Sequence, residues 1–376
     1  MKTSIFATVL FFTAALLPHS AIAYSPDTSA EAACLMIADS AEVVYEKNAR
    51  EKLPMASTTK IMTALVALQK SSPDDIVTVS ANAESQEGSS IYLARGDKIR
   101  MEDLLYGLML NSGNDAAVAI AEYISGNTAA FADEMTLLAQ KIGAKNTVFK
   151  NPSGLYEDGH YTTAYDLALI ARHAMSNPTF RKIVSTKSKA VTTNSGDVMY
   201  FTNHNKLLKM YDGACGIKTG YTKKCGRCLV SAAEKDGTCL IGVTLNDPND
   251  WEDHSAMFDY GFAGAKKMTL IKGGDVFKTV YTKDNRAIEC VLKSDADISV
   301  FGNNRPDAEI ITHFSAPLKA PITAGEKIGE AEIAVGGKTV STIDILCRNN
   351  IEKTKKSIFL DTFSGVFLAF QKIYLQ

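Results

Sequence analysis

A chain of 376 residues, 46% hydrophobic and 22% charged, has an ordinary globular balance and room for two domains with a large core. Its formal net charge of -2 supplies no basic excess to attract a polyanion, which argues against nucleic acid as a partner.

The first 23 residues stand apart. Lys2 precedes a mostly apolar run from Ile5 to Leu17, Pro18 breaks it, and Ala21-Ile22-Ala23 is a small-x-small cleavage pattern. Residues 1–23 therefore read as a secretory signal peptide, with the mature chain starting near Tyr24 outside the cytoplasm. The alternative is a retained anchor, but the run is only about two-thirds of the ~20 residues that cross a bilayer.

Next, Ala33–Ile37 and Val43–Tyr45 flank a polar turn and predict a β-hairpin. A helix is expected from Ser57 to Gln69, with Ile61, Leu65 and Leu68 on its apolar stripe. Further helices are expected over Asp103–Leu110, Asp115–Tyr123, Ala129–Lys141 and Thr163–Met175, punctuated by Gly126, Gly143 and Pro152. The period then changes. Gly213–Thr219, Arg227–Ala233 and Thr238–Leu245 read as an antiparallel meander with short polar turns. Distant strands around a helix-rich middle make an α+β domain, 24–264, rather than alternating βαβ units.

Past a break near Gly261–Lys267, short runs at 276–281, 288–292, 298–300, 331–335 and 338–343 predict a small all-β sandwich over 265–350. The tail, 351–376, opens with Lys353, Lys355 and Lys356. Phe359, Phe363, Val366, Phe367, Phe370, Ile373 and Tyr374 share one helical face, while Asp361, Ser364, Gly365 and Lys372 lie opposite; Leu368 and Leu375 are exceptions. This predicts an amphipathic helix lying on a membrane surface, against the alternative of a helix docked on the protein's own core.

Seven cysteines are an odd, sparse set for a disulfide scaffold. Cys225-x-x-Cys228 lacks the second pair that a zinc site needs, so no metal is expected. In the meander, Cys215 is expected opposite Ala232, Cys228 opposite Val243 or Thr244, and Cys239 opposite Ala232 or Ala233. No two then face each other, which leaves buried thiols or a bridge across non-adjacent strands.

Three short motifs carry chemistry. Ser57-Thr58-Thr59-Lys60 places a hydroxyl and an amine on one helix face. A serine hydroxyl needs a base, and a lysine serves as one only if burial or nearby positive charge lowers its pKa; Lys218 could supply that charge. The helix N-terminus also offers free N–H groups to an oxyanion. Ser112-Gly113-Asn114 falls between two helices, and Lys218-Thr219-Gly220 ends a strand. Alone, each is weak: the first is as readily an N-capping serine beside a solvated lysine.

Together, and in this order, they resemble the penicilloyl-serine transferase superfamily of penicillin-binding proteins and serine β-lactamases. The segments 53–63, 105–117 and 216–222 look like those of low-molecular-mass D-Ala-D-Ala carboxypeptidases, as do Asn151-Pro152-Ser153-Gly154-Leu155 and His160–Ala164. The resemblance runs from about Ala32 to Gly264, and the β domain and amphipathic tail fit it. It implies a β-lactamase/transpeptidase-like domain acting on the peptidoglycan stem peptide and trapped by β-lactam antibiotics, with no cofactor. It also implies an enzyme held at the outer face of the cytoplasmic membrane. Ser57 would be the nucleophile, Lys60 its base and Ser112 the proton relay. Asn114, Lys218, Thr219, Gly220 and Tyr221 would bind substrate, with the N–H groups of Ser57 and Tyr221 forming the oxyanion hole.

Rival readings are a D,D-endopeptidase, a non-catalytic penicillin sensor, and a β-lactamase, whose deacylating Glu-x-x-Leu-Asn pattern is absent. One departure stands out. Many family members carry an arginine after the last sheet strand; here 246–254 reads Asn-Asp-Pro-Asn-Asp-Trp-Glu-Asp-His. That leaves Lys218, Thr219 and Arg227 as candidates for the substrate carboxylate. His254 and His160 are expected to be structural.

Overall fold

The computed structural model describes residues 25–353 except 193–195, 197, 283 and 316–317. The expected signal segment, 1–23, lies outside the described residues, as does the expected amphipathic helix from residue 354 onward. Ile351, the first residue assigned to that helix, instead pairs with Ile322 in an isolated β-bridge.

The expected hairpin forms, with β1 (Ala32–Ile37) antiparallel to β2 (Val43–Lys47). A 3-10 turn over Ala56–Thr59 runs into α1 (Lys60–Lys70), so the helix expected from Ser57 has a tighter first turn. A connecting stretch holds β3 (Ile76–Thr78), α2 (Ala81–Glu84) and β4 (Lys98–Arg100). The helical layer continues with α3 (Met101–Leu110), α4 (Asn114–Ser125), α5 (Thr128–Ile142), α6 (Ala164–Met175) and α7 (Pro178–Ser185). The boundaries follow from capping. Asn127 Oδ1 accepts from Ala130 N–H at 2.8 Å and Thr163 Oγ1 from Asp166 N–H at 3.0 Å. Gly126 and Gly143 close α4 and α5 in the left-handed conformation.

A hairpin of β5 (Ser188–Thr192) and β6 (Val198–Thr202) and a single turn, α8 (Leu207–Met210), lead into the meander. Its strands are β7 (Ala214–Thr222), β8 (Gly226–Lys235) and β9 (Thr238–Leu245). β7 extends beyond its expected end, so Lys218-Thr219-Gly220 lies within the strand. The meander joins the hairpin in one sheet of order β2-β1-β9-β8-β7. Helix α9 (Asp250–Gly264) covers its second face. All six residues of β1 are buried because both faces are covered: Cys34 and Met36 join the helical core, and Leu35 and Ile37 pack with Met257 and Phe258 of α9. Each such side chain contributes about 1.5–3 kcal/mol by leaving water.

The C-terminal part is all-β, as expected. Its strands are β10 (Ala265–Ile271), β11 (Val276–Tyr281), β12 (Ala287–Leu292), β13 (Ala296–Phe301), β14 (Ala308–Phe314), β15 (Lys327–Val335) and β16 (Lys338–Cys347). Five form an antiparallel sheet of order β11-β12-β16-β15-β14, and β10 pairs with β13. Ile288, Leu292, Ile333 and Ile345 lie at the centre of its core. The two parts are tied at the β1–β2 turn, where Asp39 and Glu42 accept from the N–H groups of Ser299 and Phe301, each at 2.9 Å.

In the meander no two cysteines face each other, but the register differs from expectation. Cys215 sits in a bulge between Ala214 and Gly216, and Cys239 faces Glu234. Their side chains nevertheless lie close enough across β8 for Cys239 to lower the Cys215 pKa and for Cys215 to raise that of Cys239.

Candidate active site

The site begins at the 3-10 turn. Three residues per turn bring positions i and i+3 into line, so Ser57 and Lys60 are stacked more directly than in an α-helix. Lys60 Nζ lies 3.0 Å from Ser57 Oγ. Ala56, just before the nucleophile, has φ +47°, a left-handed conformation costly for a residue with a Cβ. Gly154 presses against it: a Cβ there would fall 1.9 Å from the Ala56 carbonyl oxygen. The segment around Gly154 is itself braced by Asn151, whose Oδ1 accepts from Gly154 N–H at 2.8 Å and whose Nδ2 donates to Leu155 O at 3.0 Å. The unusual backbone at the nucleophile is thus held from outside the helix that carries it.

Lys60 is fully buried, and its Nζ also donates to Asn114 Oδ1 at 2.7 Å and to Ser153 O at 2.6 Å. The Asn114 amide is oriented by donating from Nδ2 to Glu87 O at 2.6 Å. Burial drives the Lys60 amine well below its ordinary pKa, and Lys218 pushes the same way against a smaller opposing pull from Asp115. Lys218, 1% exposed on β7, is lowered to about 7 by burial. Asp115 holds the wall opposite. Its carboxylate accepts from Ser90 Oγ at 2.6 Å and from the N–H groups of Ile91 and Leu93, pinning the segment before β4 to the start of α4.

A cavity of about 320 Å³ opens over Ser57 and is lined in part by Ser112, Thr219, Gly220 and Tyr221. Lys60, Asn114 and Lys218 sit behind that wall, so the structure brings every expected site residue together. Ser112, in the α3–α4 connection, is held at φ +63°. Gly220 lets β7 approach the nucleophile: a Cβ there would lie 3.0 Å from the Ser57 nitrogen. A larger cleft of about 450 Å³ opens elsewhere, beside α5 and α6, and shares none of these residues.

Sequence reasoning gave no role to Ser153, whose carbonyl is a direct partner of Lys60. It also missed the far wall, where Ser89, His204, Lys206, Asp250 and Trp251 join Arg227. Arg227 Nη2 donates to both Asp250 oxygens, at 2.7 and 2.9 Å, and its guanidinium lies 5.6 Å from the Trp251 ring centroid.

His160 and His254 are structural, as expected, with a firmer reason. Lys150 N–H donates to His160 Nδ1 at 3.1 Å, so the ring proton sits on Nε2 and reaches Thr59 Oγ1 at 2.8 Å. His160 therefore braces the nucleophile turn as well as standing ahead of α6. His254 is fully buried between the Ser231 and Thr244 hydroxyls. Burial lowers His160 to about 4 and His254 to about 3. Both folded values lie below the unfolded 6.5, so their full contribution is present above pH 6.5 and is lost as the pH falls toward the folded values. Thermal stability should decline below pH 6.5 by roughly 1.4 kcal/mol per pH unit per histidine. A His254→Gln variant should show a shallower decline in calorimetry; an equally steep one would exclude His254 as a cause.

A family model described as D-alanyl-D-alanine carboxypeptidase matches residues 19–249. A second, described as the C-terminal domain of penicillin-binding protein 5, matches residues 266–353. The chain is 31% identical to the D-alanyl-D-alanine carboxypeptidase DacF of Bacillus subtilis over 91% of each chain. It is 30% identical to the D-alanyl-D-alanine carboxypeptidase DacC of Escherichia coli, covering 88% of this chain and 86% of that one. Among solved structures, it resembles penicillin-binding protein 5 of Haemophilus influenzae with a TM-score of 0.64 at 27% identity, over 87% of this chain and 99% of that one. By the extent of these matches, and with the serine–lysine site in place, the chain belongs to the D-alanyl-D-alanine carboxypeptidase family.

Proposed function

We propose that this protein removes the terminal D-alanine from peptidoglycan stem peptides through an acyl-enzyme on Ser57, and that β-lactams trap it at the same serine. The observation that carries this reading is the contact of the buried, pKa-lowered Lys60 with Ser57 Oγ at 3.0 Å, at the floor of an open cavity. Lys60 takes the Ser57 proton as Oγ attacks the carbonyl of the D-Ala-D-Ala bond. The N–H groups of Ser57 and Tyr221 hold the oxyanion, and the approach of β7 allowed by Gly220 supports that pairing. Ser112, assisted by Lys218, returns a proton to the leaving D-alanine amine. Asn114 orients Lys60 and the substrate amide, while Lys218, Thr219 and Arg227 receive the terminal carboxylate. Water then releases the shortened peptide.

Such a substrate lies outside the cytoplasm. Export is supported by the pattern of residues 1–23, and attachment to the outer face of the membrane by the amphipathic pattern of 352–376. The direct test is incubation with a pentapeptide ending in D-Ala-D-Ala. One D-alanine should be released per peptide, with no effect of a metal chelator. Penicillin binding without release would leave a sensor, and loss of activity with chelator would refute the serine mechanism.

A further inference from the structure

Cys290 on β12 and Cys347 on β16 are register partners in the C-terminal sheet. The hydrogen bonds around them define the kind of pair. Arg348 N–H donates to Glu289 O at 2.8 Å, while Cys347 N–H turns away to Glu326 O at 2.9 Å. Cys290 and Cys347 therefore occupy a non-hydrogen-bonded site, where opposed Cα atoms stand about 4.5 Å apart and side chains share one face. That spacing lies inside the range a disulfide spans. Both side chains are buried and belong to the same core as Ile288, Leu292 and Ile345. The meander pair Cys215 and Cys239 lacks this geometry.

We propose that Cys290 and Cys347 form a disulfide that braces the C-terminal sheet at its seam. β12 and β16 are joined by only three register pairs: Cys290 with Cys347, Val291 with Leu346 and Leu292 with Ile345. They connect the β11–β12 hairpin to the β14–β15–β16 meander, and β16 is the last strand among the described residues. The bond would close a loop of about 57 residues, long enough to remove much disorder from the unfolded chain. In the thiol form Cys347 Sγ donates to Asn349 O at 2.8 Å, so closure exchanges that contact for the bond.

The chemistry is thiol–disulfide exchange with an external dithiol–disulfide oxidant. One Cys thiolate attacks a sulfur of the oxidant, the second displaces it, and the oxidant leaves as a dithiol carrying both electrons and both protons. Burial raises both thiols above their ordinary pKa, which disfavours the attacking thiolate once the sheet has closed. The bond should therefore form as the strands pair and resist later exchange. In the cell this rests on the export proposed above.

The test supplies its own oxidant and needs neither export nor activity. The full chain is refolded in glutathione redox buffer, alkylated under denaturing conditions and mapped by mass spectrometry without reduction. The expected product links the Cys290 and Cys347 peptides and is lighter by two hydrogens. Its C-terminal domain should melt about 10 °C above the reduced protein, a difference absent from the Cys290→Ala/Cys347→Ala variant. Alkylation of both cysteines, or pairing of either with another cysteine, would overturn the proposal. Linkage without a melting shift would overturn the bracing.

Discussion

Lys60→Met should slow acylation of Ser57 by a fluorescent penicillin by ~10³-fold or more, toward the zero baseline of Ser57→Ala, with the fold retained. The reason lies in how the amine is surrounded. Asn114 Oδ1 and Ser153 O are both acceptors, at 2.7 and 2.6 Å. A neutral lysine amine has two N–H bonds and one lone pair. The two acceptors take the N–H bonds, and the lone pair is left facing Ser57 Oγ at 3.0 Å. Methionine fills the volume but can accept no useful proton. Lys60→Arg should fail equally, since a guanidinium stays protonated. The pH profile gives an independent reading. The acid limb of kcat/KM should report deprotonation of Lys60, whose pKa is driven down by burial first and Lys218 second. The alkaline limb should report loss of the Lys218 proton near pH 7, after which its charge would no longer attract a carboxylate. A Lys60→Met enzyme labelled within tenfold of wild type would remove Lys60 as the base.

The parts of this site that sequence reveals are those carried by contiguous side chains. Ser57 to Lys60, Ser112 to Asn114 and Lys218 to Gly220 are each short enough to recognise, and their order restricts the chemistry. What sequence hides is of two kinds. One is backbone: the Ser153 carbonyl has no residue-type signature, and the left-handed turns at Ala56 and Ser112 occur at residues that ordinarily avoid them. The other is contact across distance, as in Arg227 with Asp250, or His160 with Thr59. The same division applies to the fold. Helices α3 to α6 present apolar stripes, α4 to α6 carry capping residues as well, and the limits of all four are legible within two residues. Helix α9 is not. Its inward positions are Asp250, His254, Met257, Phe258 and Gly261, a helical spacing in which two members are polar because one faces Arg227 and the other two hydroxyls. Hydrophobic periodicity overlooks a helix whose buried face is partly polar.

That helix start also bears on substrate choice. The stretch after the last sheet strand lacks an arginine, yet Asp250 and Trp251 fix one from β8 instead. Arg227 faces Tyr221 in the strand register, beside Thr219 and Gly220, and lines the cavity over Ser57. A guanidinium has five donors, and Asp250 accepts from Nη2 alone. With its orientation held by a nearly buried carboxylate, Arg227 can offer charge to the C-terminal carboxylate of D-Ala-D-Ala at little entropic cost. Arg227→Leu should lower kcat/KM for a peptide ending in free D-alanine by ~10²-fold, about 2.7 kcal/mol, the worth of a strong charge-assisted contact. Because the substitution strands Asp250 in a buried position, the double variant Arg227→Leu/Asp250→Asn separates binding from stability: melting should recover while kcat/KM does not. The decisive comparison is a substrate ending in D-alaninamide. Wild type should prefer the carboxylate strongly, and the double variant should lose most of that preference. A preference unchanged in the variant would mean that Lys218 and Thr219 alone recognise the carboxylate, and that Arg227 serves only to join β8 to α9.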